Sequence, residues 1–189
     1  MTLTPCAPSC DAGSLSLLKP NGRDVLTTNW PELLLRELLN DWRQWARPEQ
    51  FAPGGDWRCW LFMGGRGAGK TRSGAEWVSS LVRGGHAGRV ALIGPTLHDV
   101  REVMVEGPSG VRSLPYERPT YEASRKRLVW SNGAHAACFS AEDPDALRGP
   151  QFDAAWCDEL CFWAHPEKSL QTLEYGLRLG TRPRMMVTT

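Results

Sequence analysis

The chain has 189 residues, of which 41% are hydrophobic and 23% charged, the balance of a globular protein with a sizeable core. No apolar run has the roughly 20 residues that a membrane-spanning helix needs, and no secretory signal is visible at the N-terminus. The 22 basic and 21 acidic residues give a formal net charge of +1, so overall charge gives no argument for nucleic-acid binding. The six cysteines include no Cys-x-x-Cys pair, which indicates reduced core thiols rather than a zinc site.

The chain is predicted to consist of a leader followed by one domain. Residues 1–28 carry Pro, Ser, Gly, Thr and Asn without apolar periodicity, which is typical of a disordered segment. Residues 29–189 are predicted to form the domain, beginning with an amphipathic helix over 30–46, where leucine and tryptophan recur at three-to-four spacing. Pro31 suits the first helical position, and Pro48 ends the helix because the residue before proline avoids the helical region.

From Trp57 onward, apolar strand patterns alternate with helical patterns. Predicted strands cover 59–63, 89–94, 127–130, 134–139, 152–157 and 184–188, and predicted helices cover 71–83, 95–106 and 167–179. The turn signal Ser131-Asn132-Gly133 predicts a hairpin between the third and fourth strands. Strands separated by helices imply an α/β fold with a largely parallel sheet that helices cover on both faces.

A glycine-rich loop follows the first predicted strand. Its sequence, Gly64-Gly65-Arg66-Gly67-Ala68-Gly69-Lys70-Thr71, matches the phosphate-loop pattern G-x-x-x-x-G-K-[ST]. The glycines allow successive backbone N–H groups to wrap phosphates, and the N-terminus of the next helix adds a partial positive charge. Lys70 is predicted to reach the β- and γ-phosphates of ATP, and the Thr71 hydroxyl to take one Mg²⁺ position. The alternative is a glycine-rich turn that matches by chance.

Two adjacent acids end the predicted strand at 152–157. Ligands of open parallel sheets bind at the carboxyl ends of the strands, and an ATPase needs a carboxylate for its metal and a base for the attacking water. We expect Asp158 to hold Mg²⁺ through its water shell and Glu159 to orient or deprotonate the water. The alternative is an ordinary helix N-terminus with acids in its first turn.

Two arginines are candidates for neutralising the charge that develops on the γ-phosphate during hydrolysis. Arg66 lies inside the glycine-rich loop, and Arg148 lies in a predicted turn just before the acidic strand. Either is a candidate arginine finger, within one subunit or from a neighbouring one. For each, the alternative is a solvated or structural arginine.

Taken together and in this order, the motifs resemble the large terminase subunit of tailed phages and gene transfer agents. The segments that carry the resemblance, over about residues 30–189, are Gly-Gly-Arg-Gly-Ala-Gly-Lys-Thr at 64–71, Leu-Arg-Gly-Pro-Gln-Phe-Asp at 147–153, Trp-Cys-Asp-Glu-Leu at 156–160, Met-Met-Val-Thr-Thr at 185–189, and Ala-Arg-Pro-Glu-Gln at 46–50. The loop alone is shared by many ATPases, whereas the combined set is specific. The resemblance implies a P-loop NTPase fold of the RecA-like, ASCE type.

The resemblance also implies roles for further residues. Gln50 is expected to read the adenine of ATP, and Arg148 matches the family arginine proposed to act across subunits. Thr188 and Thr189 lie in the family's coupling strand and are expected to sense the γ-phosphate and relay hydrolysis to movement. For Lys70, Thr71, Asp158 and Glu159, the resemblance implies the same roles in phosphate binding, Mg²⁺ binding and activation of water as those argued above.

The implied activity is an ATP-driven motor that translocates double-stranded DNA into a procapsid. The expected partners are the DNA, the portal of the procapsid, the small terminase subunit and further copies of the chain in a ring. The expected location is the cytoplasm of the bacterial host, transiently at the portal, with no membrane partner. The expected ligands are ATP and Mg²⁺.

The chain departs from the family pattern at its end. It stops at Thr189, inside the coupling motif, so the sheet is expected to be C-terminally truncated, with an open edge beside the phosphate-loop strand. No nuclease domain follows in this sequence, and no nuclease activity is expected. Two alternatives stay open: an inactive nucleotide-binding remnant of a truncated gene, and another DNA-dependent ATPase such as a helicase.

Overall fold

The computed structural model describes residues 31–189, so the predicted leader at 1–28 lies outside the described residues. The chain divides into two compact units with the boundary between Arg47 and Pro48, and each unit is described by itself. In the part of the chain from Pro31 onward, no helix is long and apolar enough to cross a membrane.

The first unit contains two short helices where the sequence predicted one. Helix α1 spans Glu32–Asn40 and helix α2 spans Trp42–Trp45. The single predicted helix is wrong at Asp41, whose backbone is extended (φ −76°, ψ 103°) and whose carboxylate accepts a hydrogen bond from the Arg43 N–H at 3.0 Å. An aspartate that caps a helix N-terminus in this way starts a new helix.

The second unit is built on a seven-stranded sheet with the order β1–β7–β6–β2–β5–β4–β3. The strands are β1 (Cys59–Phe62), β2 (Arg89–Gly94), β3 (Thr120–Glu122), β4 (Arg127–Val129), β5 (His135–Ser140), β6 (Ala154–Cys157) and β7 (Arg184–Thr188). All neighbours from β1 to β5 pair in parallel, whereas β4 and β3 add an antiparallel edge. This arrangement confirms the predicted α/β fold with a mostly parallel sheet, and it places β1 at one edge.

Three helical segments longer than a single 3-10 turn accompany the sheet. Helix α3 spans Lys70–Arg83, helix α4 spans Leu97–Asp99 and continues as a π-helix over Val100–Val105, and helix α5 spans Pro166–Gly176. The existence of the three predicted helices is confirmed, but the third, predicted to reach 179, ends at Gly176, because Leu177 pairs with Phe152 in an isolated bridge. The predicted start at 95 is two residues too early because Thr96 caps α4, its hydroxyl accepting from the Asp99 N–H at 3.1 Å.

Two hydrophobic cores lie on the opposite faces of the sheet, because side chains alternate along each strand. One core contains residues of α3 and of the strands, among them Val78, Val82, Leu92, Trp156 and Met186. The other contains residues of the same strands and of α5, among them Ile93, Cys157, Leu173 and Val187. The central strands β2 and β6 are buried on both faces, which accounts for their continuous apolar sequences.

The structure differs from the predicted strands by more than one residue at two places. The strand predicted from 152 begins at Ala154, because Phe152 makes only an isolated bridge to Leu177 and the Asp153 carboxylate accepts from the backbone N–H groups of Gly88 and Arg89. Strand β3 was not predicted. It is three residues long and too short for an alternating pattern to identify it.

The parallel strands end at a common edge of the sheet. The glycine-rich loop follows β1, the acids follow β6, and the two threonines end β7, which lies between β1 and β6. The topology therefore brings three segments that are far apart in the sequence to one edge, where ligands of open parallel sheets bind.

Candidate functional site

The glycine-rich loop connects β1 to α3 in the strand–loop–helix order that the motif requires. Gly67 and Gly69 have φ values of +81° and +80°, in the left-handed region that glycine adopts without steric cost. Helix α3 begins at Lys70, directly after the loop, so the unpaired N–H groups of its first turn face the loop end. Thr71 is the second residue of this helix and is half-buried.

The side chain of Lys70 joins the loop to the acidic pair. Its ammonium group donates a hydrogen bond to the Gly64 carbonyl at 2.6 Å and lies 3.5 Å from the Glu159 carboxylate. The lysine side chain is only 12% exposed, so this cation lies at a fixed place between the start of the loop and the end of β6. A phosphate bound in the loop would meet it there.

The two acids follow one another but have different surroundings. Asp158 is buried, with its backbone N–H donating to the Ile93 carbonyl at 2.8 Å, which extends the β6–β2 ladder by one residue. Glu159 adopts a left-handed backbone (φ +50°, ψ 51°), which costs a residue with a side chain about 1–3 kcal/mol. The sharp turn allows Glu159 to reach Lys70 while the carboxylate of Asp158 contacts Thr188.

Burial governs the ionisation of Asp158. Desolvation raises the pKa of its carboxyl to about 6, and the neighbouring charge of Glu159 adds to this, whereas the hydrogen bond from Thr188 and the charge of Lys70 oppose it. A buried carboxylate of this kind is stabilised by a cation.

The residues at this edge fit Mg²⁺. The ion binds through one or two carboxylates, water and substrate phosphates, and the buried Asp158 carboxylate is a ligand of that kind. Within residues 31–189, no three His, Cys, Asp or Glu side chains are grouped as a complete metal cage.

A cavity of about 300 Å³ lies beside the acids. It is lined by Pro95, Asp99, Val103, Met104, Asp158, Glu159 and Phe162. Phe162 and Val103 are themselves exposed at 75% and 42%, so the cavity is bordered by apolar side chains that reach the surface. Asp158 and Glu159 thus border an open space at this end of the sheet.

The end of β7 contacts both the loop and the acids. The Thr188 hydroxyl, which is buried, donates to the Asp158 carboxylate and accepts from the Trp156 indole N–H at 3.1 Å. The Thr189 carbonyl accepts from the Gly64 N–H at 3.0 Å, and its hydroxyl accepts from the Cys161 N–H at 3.3 Å. The two threonines therefore connect the start of the phosphate loop to the strand end that carries the acids.

Three predicted site residues remain, Gln50, Arg66 and Arg148. Gln50 is buried, and its amide nitrogen lies 3.4 Å from the Ala68 carbonyl, against the backbone of the loop. Arg66 is exposed within the loop. Arg148 is 69% exposed and pairs with Asp145 at 3.1 Å, so within residues 31–189 the structure gives it no contact with the loop or the acids.

Sequence reasoning missed two contributors, Gly74 and Trp156. A Cβ atom on Gly74 would lie 2.1 Å from the Trp156 ring, so only glycine allows α3 to approach β6 this closely. A glycine inside a helical pattern was the available signal, since it indicates a close approach of another group. The indole partner of Thr188 had no local signal, because an apolar strand accommodates tryptophan for packing alone.

The loop lies between a strand and a helix, and the paired acids follow a parallel strand that is separated from β1 by one strand, β7. This arrangement defines a nucleotide-binding protein of the P-loop class. The family described as "Terminase large subunit, T4likevirus-type, N-terminal" matches residues 61–189. The chain therefore belongs to this family, and the predicted resemblance is confirmed. No curated protein matches the sequence.

Solved structures of large terminases are similar in fold. The large terminase from a thermophilic bacteriophage aligns with 84% of this chain and 39% of its own, at 16% identity and a TM-score of 0.59. The same phage protein in complex with ADP aligns with 80% of this chain and 37% of its own, at 16% identity and a TM-score of 0.57. The large terminase ATPase domain of Thermus phage P74-26 has 20% identity, coverages of 91% and 70%, and a TM-score of 0.47. The chain thus spans 39% of the length of the thermophilic phage protein.

Proposed function

We propose that this chain is the ATP-hydrolysing motor part of a viral or gene-transfer-agent terminase, which couples ATP hydrolysis to translocation of double-stranded DNA into a procapsid. The observation that carries the proposal is the contact of Lys70 with Glu159 and of Thr188 with Asp158 at one sheet edge, in a chain of the large-terminase family. The large terminase of the thermophilic bacteriophage, which shares the fold, has structures in complex with ADP and with ATP-gamma-S, which supports ATP as the nucleotide.

The chemistry follows from the positions of the residues. Backbone N–H groups of the loop and of the first turn of α3 bind the phosphates, and Lys70 neutralises the β- and γ-phosphates. Thr71 and Asp158 would hold Mg²⁺, which supplies charge neutralisation along the phosphate chain. Glu159 accepts a proton from the water molecule while the water oxygen bonds to the γ-phosphorus. The bond between the γ-phosphorus and the oxygen that bridges it to the β-phosphate breaks, which releases ADP and phosphate.

A further cation is needed where charge develops on the γ-phosphate. Arg66 belongs to the loop of the same chain, whereas Arg148 lies exposed at the surface, with the Nε of its guanidinium group paired with Asp145. We assign Arg148 as the arginine finger offered to a neighbouring subunit and Arg66 as a residue that acts within its own subunit. Exposure of Arg148 supports this assignment, since a residue that acts in another copy must lie at the surface.

The remaining roles concern recognition and coupling. Gln50 packs against the backbone of the loop, and we assign it to adenine recognition. Thr188 and Thr189 contact both the acids and the loop, so a change at the γ-phosphate reaches β7 through hydrogen bonds. The proposed partners are double-stranded DNA, the portal of the procapsid, the small terminase subunit and further copies of the chain in a ring, in the host cytoplasm.

ATP turnover in the presence and absence of double-stranded DNA tests the proposed function. We expect Mg²⁺-dependent release of phosphate that DNA increases and that single-stranded RNA of matched length does not. A rate of ATP turnover that does not change at any DNA concentration would contradict the motor role, although it would still be consistent with an ATPase. Absence of both turnover and ATP binding would contradict the whole proposal.

Mixed subunits test the assignment of Arg148. Neither Arg148→Ala nor Lys70→Ala protein is expected to hydrolyse ATP well alone, because one lacks the finger and the other lacks the phosphate lysine. If the finger acts between subunits, mixtures recover activity where an Arg148→Ala subunit receives Arg148 from a Lys70→Ala neighbour. Failure to recover activity at any mixing ratio would place the finger within one subunit. An Arg178→Ala variant, which changes another surface arginine, serves as the matched control.

A further inference from the structure

Three buried side chains form a hydrogen-bonded chain beneath the site. The Trp156 indole N–H donates to the Thr188 hydroxyl oxygen at 3.1 Å, and the Thr188 hydroxyl donates to the Asp158 carboxylate. Trp156 and Thr188 are fully buried and Asp158 is 3% exposed, so water does not compete for these bonds. This series of hydrogen bonds ends at the Asp158 carboxylate, which we assign as a ligand of Mg²⁺.

Donor and acceptor capacities give this chain a direction. An indole nitrogen only donates, and a threonine hydroxyl has one hydrogen and two lone pairs. Because Trp156 occupies a lone pair of the Thr188 oxygen, the hydroxyl hydrogen points away from the indole. Its acceptors there are the Asp158 carboxylate and the Cys157 carbonyl at 3.1 Å. Without the indole N–H, the hydroxyl would be free to rotate and to accept a different donor.

The indole is held in place by the helix that carries the phosphate-binding lysine. Gly74 lies one turn after Lys70 in α3, and a Cβ atom there would lie 2.5 Å from the indole nitrogen itself. The nitrogen side of the ring therefore rests directly on the helix backbone. This contact fixes the distance between α3 and the end of β6, and with it the place of the N–H group.

We propose that Trp156 is a positioning residue for ATP hydrolysis, which holds the Thr188 hydroxyl as a donor to the Asp158 carboxylate and so orients that carboxylate toward the metal and phosphates. The inference rests on the proposed function and concerns a residue to which that function gives no role. Packing alone explains a large ring at this position. It does not explain an N–H group directed at the one hydroxyl that holds the acid.

The second tryptophan near the acid shows the contrast. The Trp163 indole N–H donates to the Asp158 main-chain carbonyl at 2.9 Å, so it fixes the backbone and does not reach the carboxylate. Trp156 reaches the carboxylate through Thr188. The two indoles therefore restrain different parts of one aspartate, and only Trp156 acts on its side chain.

A double-mutant cycle tests the proposal. The variants are Trp156→Phe, Thr188→Val and the double variant, and Trp60→Phe in the edge strand β1 is the matched control, since Trp60 is also buried, at 7%. Two quantities are measured for each: kcat and KM for ATP, and the affinity for ADP by calorimetry with and without Mg²⁺. Double cycles isolate an interaction between two residues in contact.

We expect Trp156→Phe to lower kcat about three- to tenfold, the range of one neutral hydrogen bond, with KM for ATP little changed. The gain in ADP affinity on adding Mg²⁺ should fall by a similar factor, whereas the affinity without Mg²⁺ should stay at the wild-type value. In the Thr188→Val background, Trp156→Phe should have no further effect, because the hydroxyl through which it acts is gone. Trp60→Phe should leave both quantities unchanged.

Several results would overturn the proposal. The first is a wild-type kcat and a wild-type Mg²⁺ response in Trp156→Phe. The second is a double variant in which the effects of the two single substitutions multiply. The third is an equal loss in Trp60→Phe. If Trp156→Phe fails to fold, 3-benzothienylalanine at position 156 keeps the ring shape and replaces the N–H with sulfur. The ADP affinities also separate this inference from the proposed function. An absence of ATP turnover in the wild type would contradict the proposed function. The effect of Mg²⁺ on ADP affinity, compared across the wild type and the variants, would then test the role of Trp156.

Discussion

The two ends of the sheet differ in where their polar side chains lie and in what those side chains bind. In the parallel part, formed by β1, β7, β6, β2 and β5, polar side chains at the strand ends are buried and bonded across strands, as Asp158 and Thr188 are. In the antiparallel flank, residues 120–134, charged side chains pair at the surface, as Arg127 does with Glu122 at 2.7 Å. Converging strand ends thus concentrate polar groups where a ligand binds, whereas the flank stabilises the fold. Substitutions should separate the two regions.

The largest expected contrast is between two lysines. Lys70→Ala should weaken ATP binding by about 100-fold or more, because hydrogen bonds to charged phosphates are lost together with the only cation that joins the loop to Glu159 among residues 31–189. Lys126→Ala, at the tip of the flank, should leave affinity unchanged. Calorimetric titration with ADP measures both. Equal losses in the two variants would remove the distinction between the regions.

A large effect on stability without an effect on chemistry is expected in the flank. Leu128 is fully buried in β4, so Leu128→Ala should lower the free energy of unfolding by about 2–5 kcal/mol. Because the site lies at the other end of the sheet, kcat measured well below the unfolding temperature should stay at the wild-type value. Urea unfolding followed by circular dichroism gives the first quantity. A kcat that drops in proportion to the lost stability would show that the flank contributes to the site.

The same substitution at two glycines sharpens the comparison. Gly69 and Gly133 both have left-handed backbones, at φ +80° and +85°, so alanine at either should cost about 1–2 kcal/mol of stability. A Cβ atom on Gly69 would lie 2.2 Å from the Gln50 amide nitrogen, whereas one on Gly133 meets nothing within 4 Å. Only Gly69→Ala should therefore also weaken ATP binding, by about tenfold. Unchanged binding in Gly69→Ala would argue against a fixed loop conformation.

The smallest effect is expected from the surface pair of the flank. The hydrogen bond from Arg127 lowers the pKa of Glu122, so the stability that this pair contributes is present above the unfolded pKa and is lost as pH falls through the lower folded pKa. Arg127→Ala should lower Tm by about 3 °C or less at pH 7, because exposed ion pairs contribute little. The Tm difference from wild type should vanish in acid. A difference that grows as pH falls would contradict this assignment.

The sequence was most informative where the determinants are local. The phosphate loop, the acidic pair and the helix from 71 to 83 all follow from residues that are adjacent in the chain, and the alternation of elements predicted a parallel sheet. The break at Asp41 required a cap to be preferred over continuing periodicity, and β3 is too short to carry a pattern. The contact of Trp156 with Thr188 joins β6 to β7 across 32 positions, so no local pattern encodes it.

Turnover by Glu159→Gln, measured beside ATP affinity, tests the central claim most directly. Glutamine keeps the size of the side chain and one acceptor oxygen but is too weak a base to take a proton from water. The account predicts ATP affinity close to that of the wild type with kcat lowered by about 10²–10⁴-fold. Wild-type kcat in Glu159→Gln would contradict the assignment of this edge of the sheet as a hydrolytic site.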